Sequence, residues 1–184
     1  FSNENIKFGS CKKIKINNKE ILAQRLSYVG ELGFELYIEM KDSKEIFNLI
    51  IEKGKEFNLS LCGMLAMDTM RMESGYLHWG HDISPEENQY EAGLNFAISF
   101  KKNIDFIGKK AIEKIKGKKI KKKMVMLTLK NNKPGFPLLL HDEPIYCDGK
   151  IIGRTTSGNY SFNYEKNMSL GYINLVSPIE ELAK

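Results

Sequence analysis

Tyr28-Val29-Gly30-Glu31-Leu32-Gly33-Phe34-Glu35-Leu36 is the stretch from which the front of this chain is read. Lys13-Ile14-Lys15-Ile16 alternates, and residues 21–29 continue in a strand-like vein with Leu26 and Tyr28 on one face. Gly30 and Gly33 interrupt that pattern with residues that tolerate positive φ, and residues 34–38 resume it. The expectation is therefore strand, tight glycine-bounded loop, strand. Gly-x-x-Gly without a third glycine and a following helix is no dinucleotide fingerprint. The two glycines would let the loop approach a ligand closely and present Glu31 from a rigid bend. A carboxylate so held can accept paired hydrogen bonds from an amidine-like edge, such as a pterin ring or an arginine. The alternative is an ordinary polar hairpin with its glutamate in solvent.

Downstream, Asp42-Ser43-Lys44-Glu45 has the form of a helix start, and Ile46, Phe47, Ile50, Ile51 and Phe57 follow at helical spacing. Residues 63–74 read as a second helix ending at Gly75, with Arg71 near Met64 and Met67. Arg71 is either a planar, always-charged ligand clamp or a cation placed favourably at a helix C-terminus. Residues 76–88 read as a functional loop, in which His78-Trp79-Gly80-His81-Asp82 gathers two histidines, the sole tryptophan and an acid. Only His141 remains elsewhere and no His-Glu-x-x-His or cysteine partner accompanies the pair, so no metal site is expected. Ser157 lacks the Gly-x-Ser-x-Gly context of a nucleophile and reads as turn chemistry. Residues 90–100 read as extended and 112–116 as a short helix. Beyond them, 124–129, 138–140, 144–147, 150–155 and 169–176 are short strand candidates, and Asp148-Gly149 marks a two-residue hairpin. The fold class is α+β: a two-layer α/β region over residues 1–118, then a β-rich module over 119–184, expected to be a small antiparallel β-barrel or a sandwich.

The 184 residues, 42% hydrophobic and 28% charged, have the composition of a globular protein with a real core. No apolar run approaches the ~20 residues of a membrane helix. The three cysteines, Cys11, Cys62 and Cys147, are scattered and odd in number, which favours reduced thiols over a disulfide framework. The net charge of +5 is local: residues 109–123 carry nine lysines and one glutamate, leaving −3 for the rest. No aromatics interleave with that run, so a solvated connection is favoured over a nucleic-acid surface. The chain begins at Phe1 without an initiator Met or signal peptide, and a preceding stretch is expected.

Taken in order, these blocks resemble one family. Residues 28–36 resemble the YxGExGxE stretch of the glycine-cleavage T-protein (aminomethyltransferase) superfamily. Ala66 to Gly75 resembles its LRLEAG helix end, Trp79 to Ile83 with Tyr90 to Leu94 its GxD…EAGL element, and Asp105 to Ala111 its FIGREAL segment. Gly153 to Gly158 and Ser169 to Tyr172 resemble strand motifs of its terminal barrel. Gly-Glu-Leu-Gly at 30–33 and His-Trp-Gly-His-Asp at 78–82 are more similar to the folate portion of sarcosine and dimethylglycine dehydrogenases than to plain T-proteins.

The resemblance implies a tetrahydrofolate-dependent one-carbon transfer module. Glu31 would hold the pterin edge, Arg71 would lie beside the folate, and Tyr28 and Trp79 would form its walls. The family's catalytic aspartate lies ahead of anything matching here, so it is expected upstream of Phe1, and the fragment alone is expected to be inactive. FAD in a preceding domain, a methylated amine or aminomethyl donor, and a lipoyl carrier protein are further implications. The setting would be bacterial cytoplasm or mitochondrial matrix. The alternatives are a non-catalytic folate-binding protein of the iron–sulfur maintenance type, whose KGCYxGQE-like signature is absent around Cys62, and a lysine-rich nucleic-acid binder.

Overall fold

A computed structural model describes residues 4–102, 104–130 and 133–175. By internal contacts the chain divides into Phe1–Ser74 and Gly75–Lys184.

In the first unit, β1 (Cys11–Ile16), β2 (Lys19–Gln24) and β3 (Glu35–Tyr37) form an antiparallel sheet in the order β1-β2-β3. Ile16 pairs with Lys19, so Asn17 and Asn18 alone make the turn, with φ of 46° and 60°. Two-residue hairpins need positive φ at both positions, and asparagine tolerates it. Along β2 the pleat turns Ile21 and Ala23 to the interior, at 3% and 0% exposure. Burying a side chain such as Ile21 contributes about 1.5–3 kcal/mol. The expected strand over residues 21–29 stops at Gln24, because β3 pairs only with Leu22, Ala23 and Gln24. Residues 25–34 are a wider loop than the tight bend expected, and its first residue is pinned: Gly9 donates to the Arg25 carbonyl and the Arg25 N–H to Ser10 O, both at 3.0 Å.

Helix α1 (Met40–Gly54) starts ahead of the expected Asp42 cap, with Glu39 as N-cap and no side-chain capping bond. Asp42 sits in the first turn, where it suits the helix dipole, and pairs with Lys19 of β2 at 2.9 Å. Ile46 is fully buried, but Phe47 and Phe57 stay 51% and 81% exposed, so the apolar face is narrower than its spacing predicted. Helix α2 (Met64–Glu73) buries Thr69, Arg71 and Met72.

In the second unit, α3 (Lys109–Ile115) precedes β4 (Lys122–Thr128), β5 (Pro144–Cys147), β6 (Lys150–Ser161) and β7 (Lys166–Asn174). The strands form an antiparallel sheet in the order β4-β7-β6-β5. Among the described residues it is open, with β4 and β5 at its edges. The β5–β6 hairpin turns on Asp148 and Gly149, at φ of 48° and 74°, as the Asp-Gly pair predicted. β7 is buried on both faces between its ends and holds the core with Met168, Leu170 and Ile173.

Two readings of this region are corrected. Residues 90–100 are turns and a short 3-10 segment at Asn95–Ala97, not extended chain. Asn88 Oδ1 accepts the N–H groups of Tyr90 and Glu91 at 3.0 and 3.1 Å, which curls the backbone before a strand can form. Residues 138–140 likewise lie outside the named strands.

Candidate functional site

In the first unit, the glycine loop is seated on the end of α2. Ser74 Oγ donates to Val29 O at 3.2 Å, and Gly30 has φ +77°. A Cβ at Gly30 would fall 2.1 Å from Ser74 Oγ, so this position requires glycine for both its backbone and its packing. The seat fixes where the next residue, Glu31, emerges.

Glu31 is exposed but not aimed at a flat surface. It lines a concavity of about 260 Å³ with Phe8, Arg25, Leu26, Ser27, Leu32 and Gly33. Phe8 and Leu32 are 77% and 73% exposed and supply apolar flanks. The sequence reading missed Arg25. Its signal was present, a cation six places before Glu31, but nothing in the spacing showed that residues 25–33 fold around one hollow.

Arg71 is placed differently from expectation. It is 1% exposed, and both Nε and Nη2 bond to Asp68 Oδ1, at 2.7 and 2.6 Å. The i,i+3 spacing on α2 brings the pair together. Arg71 is absent from the concavity that Glu31 lines, and so is the half-buried Tyr28.

In the second unit, Trp79 is 66% exposed on its loop. The buried residue there is Asp82, at 0% exposure. Thr156 and Ser157 donate to its Oδ1 at 2.5 and 2.7 Å, and the His78 N–H donates to Oδ2 at 2.8 Å. The β6–β7 register slips between Thr155 and Ser157, leaving Thr156 as an extra residue. In a regular strand neighbouring side chains point to opposite faces; the bulge turns both hydroxyls onto one carboxylate. Ser157 is thus a buried strand residue and not the turn residue it was read as. All three histidines gather here: the ring centroids of His78 and His81 lie 4.5 Å apart, and those of His81 and His141 6.3 Å. Even so, no group of His, Cys, Asp and Glu among the described residues could hold a metal ion.

Beside this loop Glu87 bonds Lys122 of β4 and accepts from Ser84 Oγ at 2.6 Å. Burial pushes its carboxyl up, and the Lys122 and Ser84 bonds more than offset that, so its pKa lies below the ordinary 4.5. A depressed acid contributes stability above its unfolded value and loses it as pH falls through the folded one. Acid titration followed by fluorescence is therefore expected to show a loss of stability below pH 4.5 that Glu87→Gln removes. Burial, with Glu87, Asp82 and Glu91 nearby, holds the Tyr172 phenol protonated well above its usual range.

A sheet-and-helix unit presenting a glycine-bent glutamate, followed by an antiparallel β module, is the class of fold seen in the T-protein of glycine cleavage. Residues 1–102 match the family described as the GCVT N-terminal domain, and residues 122–184 match the glycine cleavage T-protein C-terminal barrel domain. The chain belongs to the glycine cleavage T-protein family. It is 36% identical over 172 residues to the human mitochondrial dimethylglycine dehydrogenase, covering 94% of this chain and 20% of that protein. It is 35% identical over 167 residues to an aminomethyltransferase of Symbiobacterium thermophilum, covering 90% and 44%. The solved aminomethyltransferase T of the Bartonella henselae glycine cleavage system superposes with a TM-score of 0.81 at 21% identity, over 95% of this chain and 46% of that one. The chain thus spans less than half the length of each of these relatives.

Proposed function

We propose that this chain is a tetrahydrofolate-binding module of one-carbon transfer, with Glu31 as the residue that grips the pterin. The observation that carries the reading is Glu31 lining an approximately 260 Å³ hollow in a T-protein-family chain. A pterin presents an amino group and a ring N–H side by side, and a carboxylate accepts both in a two-pronged pair. The ring is flat and largely apolar on its faces, which suits the exposed Phe8 and Leu32.

Tetrahydrofolate, when bound, supplies the nucleophilic nitrogen that takes up the one-carbon unit. The protein's share is orientation and exclusion of water. Glu31, fixed by the Gly30–Ser74 seat, sets the rotation of the ring about its recognised edge and so the direction in which that nitrogen points. Such positioning contributes several kcal/mol to a transfer step. Outside that hollow, and on the family likeness alone, Arg71, Tyr28 and Trp79 are proposed as further folate-contacting residues of the longer protein. The functional division is proposed at 118/119, with the folate module before it and the barrel after it. The one-carbon donor is an aminomethyl or N-methyl amine compound, and a longer protein would add the catalytic aspartate and, for an amine-oxidising relative, FAD.

The test is calorimetric titration of tetrahydrofolate into the chain, with Arg71→Ala alongside. Saturable binding that raises the melting temperature supports the reading, and no binding up to millimolar ligand ends it. Arg71→Ala breaks a buried ion pair and is expected to lower the melting temperature by roughly 5 °C. A lowered melting temperature with an unchanged Kd would remove Arg71 from the binding site and leave it a structural role.

A further inference from the structure

Arg25 and Glu31 carry opposite charges on the wall of one hollow. Neither has an ion-pair partner among the described residues, and they do not pair with each other. Opposite charges that face a common space without closing on one another leave room for a ligand bearing complementary donors and acceptors.

Arg25 is built to stay in place. Its backbone is tied on both sides, to Gly9 and Ser10, at 3.0 Å. Its Nη1 donates to Ile6 O at 3.0 Å, and Ile6 is 3% exposed. That is the guanidinium's one bond among the described residues, and its Nε is buried without a partner. A guanidinium has five N–H donors in a planar fork and no acceptor. Unused donors beside a hollow favour a ligand oxygen.

We propose that Arg25 is a specificity residue that recognises the ring carbonyl oxygen next to the edge held by Glu31. The inference rests on the folate reading and adds to it a discrimination by ring chemistry. A 2-amino-4-oxo pteridine offers, in order around the ring, an amino donor, an N–H donor and a carbonyl acceptor. A carboxylate followed by a guanidinium matches that order. A 2,4-diamino pteridine puts a second amino donor where the carbonyl stood, opposite Arg25, where two donors cannot bond, and its adjacent ring nitrogen carries no N–H for Glu31.

The experiment is competitive titration of the chain with tetrahydropterin and with the corresponding 2,4-diamino tetrahydropteridine. Wild type is expected to prefer the 4-oxo ring by about tenfold or more, because a site built for a hydrogen bond rejects the analogue that leaves it unmade. Arg25→Gln is expected to shrink that preference by about threefold or more relative to wild type, and Arg25→Lys, which keeps a cationic donor, by a smaller factor. The ratio of affinities is the readout, since a purely structural loss through the Ile6 bond would weaken both ligands alike. If tetrahydropterin binds and Arg25→Gln keeps the full preference, the role of Arg25 is overturned and the folate reading stands. If neither ring binds wild type, both are overturned.

Discussion

Glu31→Gln is expected to weaken tetrahydrofolate binding by about 10- to 100-fold, the loss that follows from replacing charge-assisted hydrogen bonds with one neutral acceptor and one mismatched donor. The same substitution should leave the melting temperature of the free chain unchanged, because Glu31 is exposed. That separation gives the experiment its force. A residue whose only role is to cap a loop would lose stability along with affinity. A residue whose partner is the ligand loses affinity alone. Calorimetric titration measures the first quantity and a thermal melt the second. An unchanged Kd would remove Glu31 from the site and, with it, the main reason for reading this hollow as a pterin pocket.

The second large effect is on stability. Asp82→Ala is expected to destabilise the Gly75–Lys184 unit by about 3–5 kcal/mol, since it strands two hydroxyls and a backbone N–H whose acceptor is gone. For a chain of this size that corresponds to roughly 10 °C of melting temperature. Asp82→Asn keeps an oxygen for Thr156 and Ser157 and turns an amide against the His78 N–H in place of Oδ2, so its loss should fall between wild type and Asp82→Ala. Thr156→Val removes a single donor and should cost about 1–2 kcal/mol. A melt of Asp82→Ala within a degree or two of wild type would show that the bulge and its carboxylate do not hold this loop.

The hydrophobic alternation of β1 and β2, the helical spacing behind α1 and α2, and the Asp148-Gly149 hairpin were all legible, because each is a local periodicity or a local turn chemistry. So was the family, whose motifs are short runs in fixed order. Where local reading failed, a local competitor or a distant partner had decided the outcome. Residues 90–100 look extended by composition, yet the Asn88 side chain captures their first N–H groups. The reading of Asp42 as a cap missed its partner, Lys19, which lies on another element.

The candidate site divides the same way. The sequence by itself determined the T-protein class and that residue 31 is a carboxylate on a glycine-flanked bend, since both are written in contiguous residues. Only the tertiary structure decided what surrounds that carboxylate. It brought Phe8 and Arg25 to the same hollow and set Asp82 beneath the two hydroxyls of a strand 74 and 75 positions away. These outcomes depend on which long-range pairs satisfy buried charges and hydrogen bonds. No period or spacing along a single chain encodes such a choice, because the free energy of a buried polar group is set by the atoms around it and not by its neighbours in sequence.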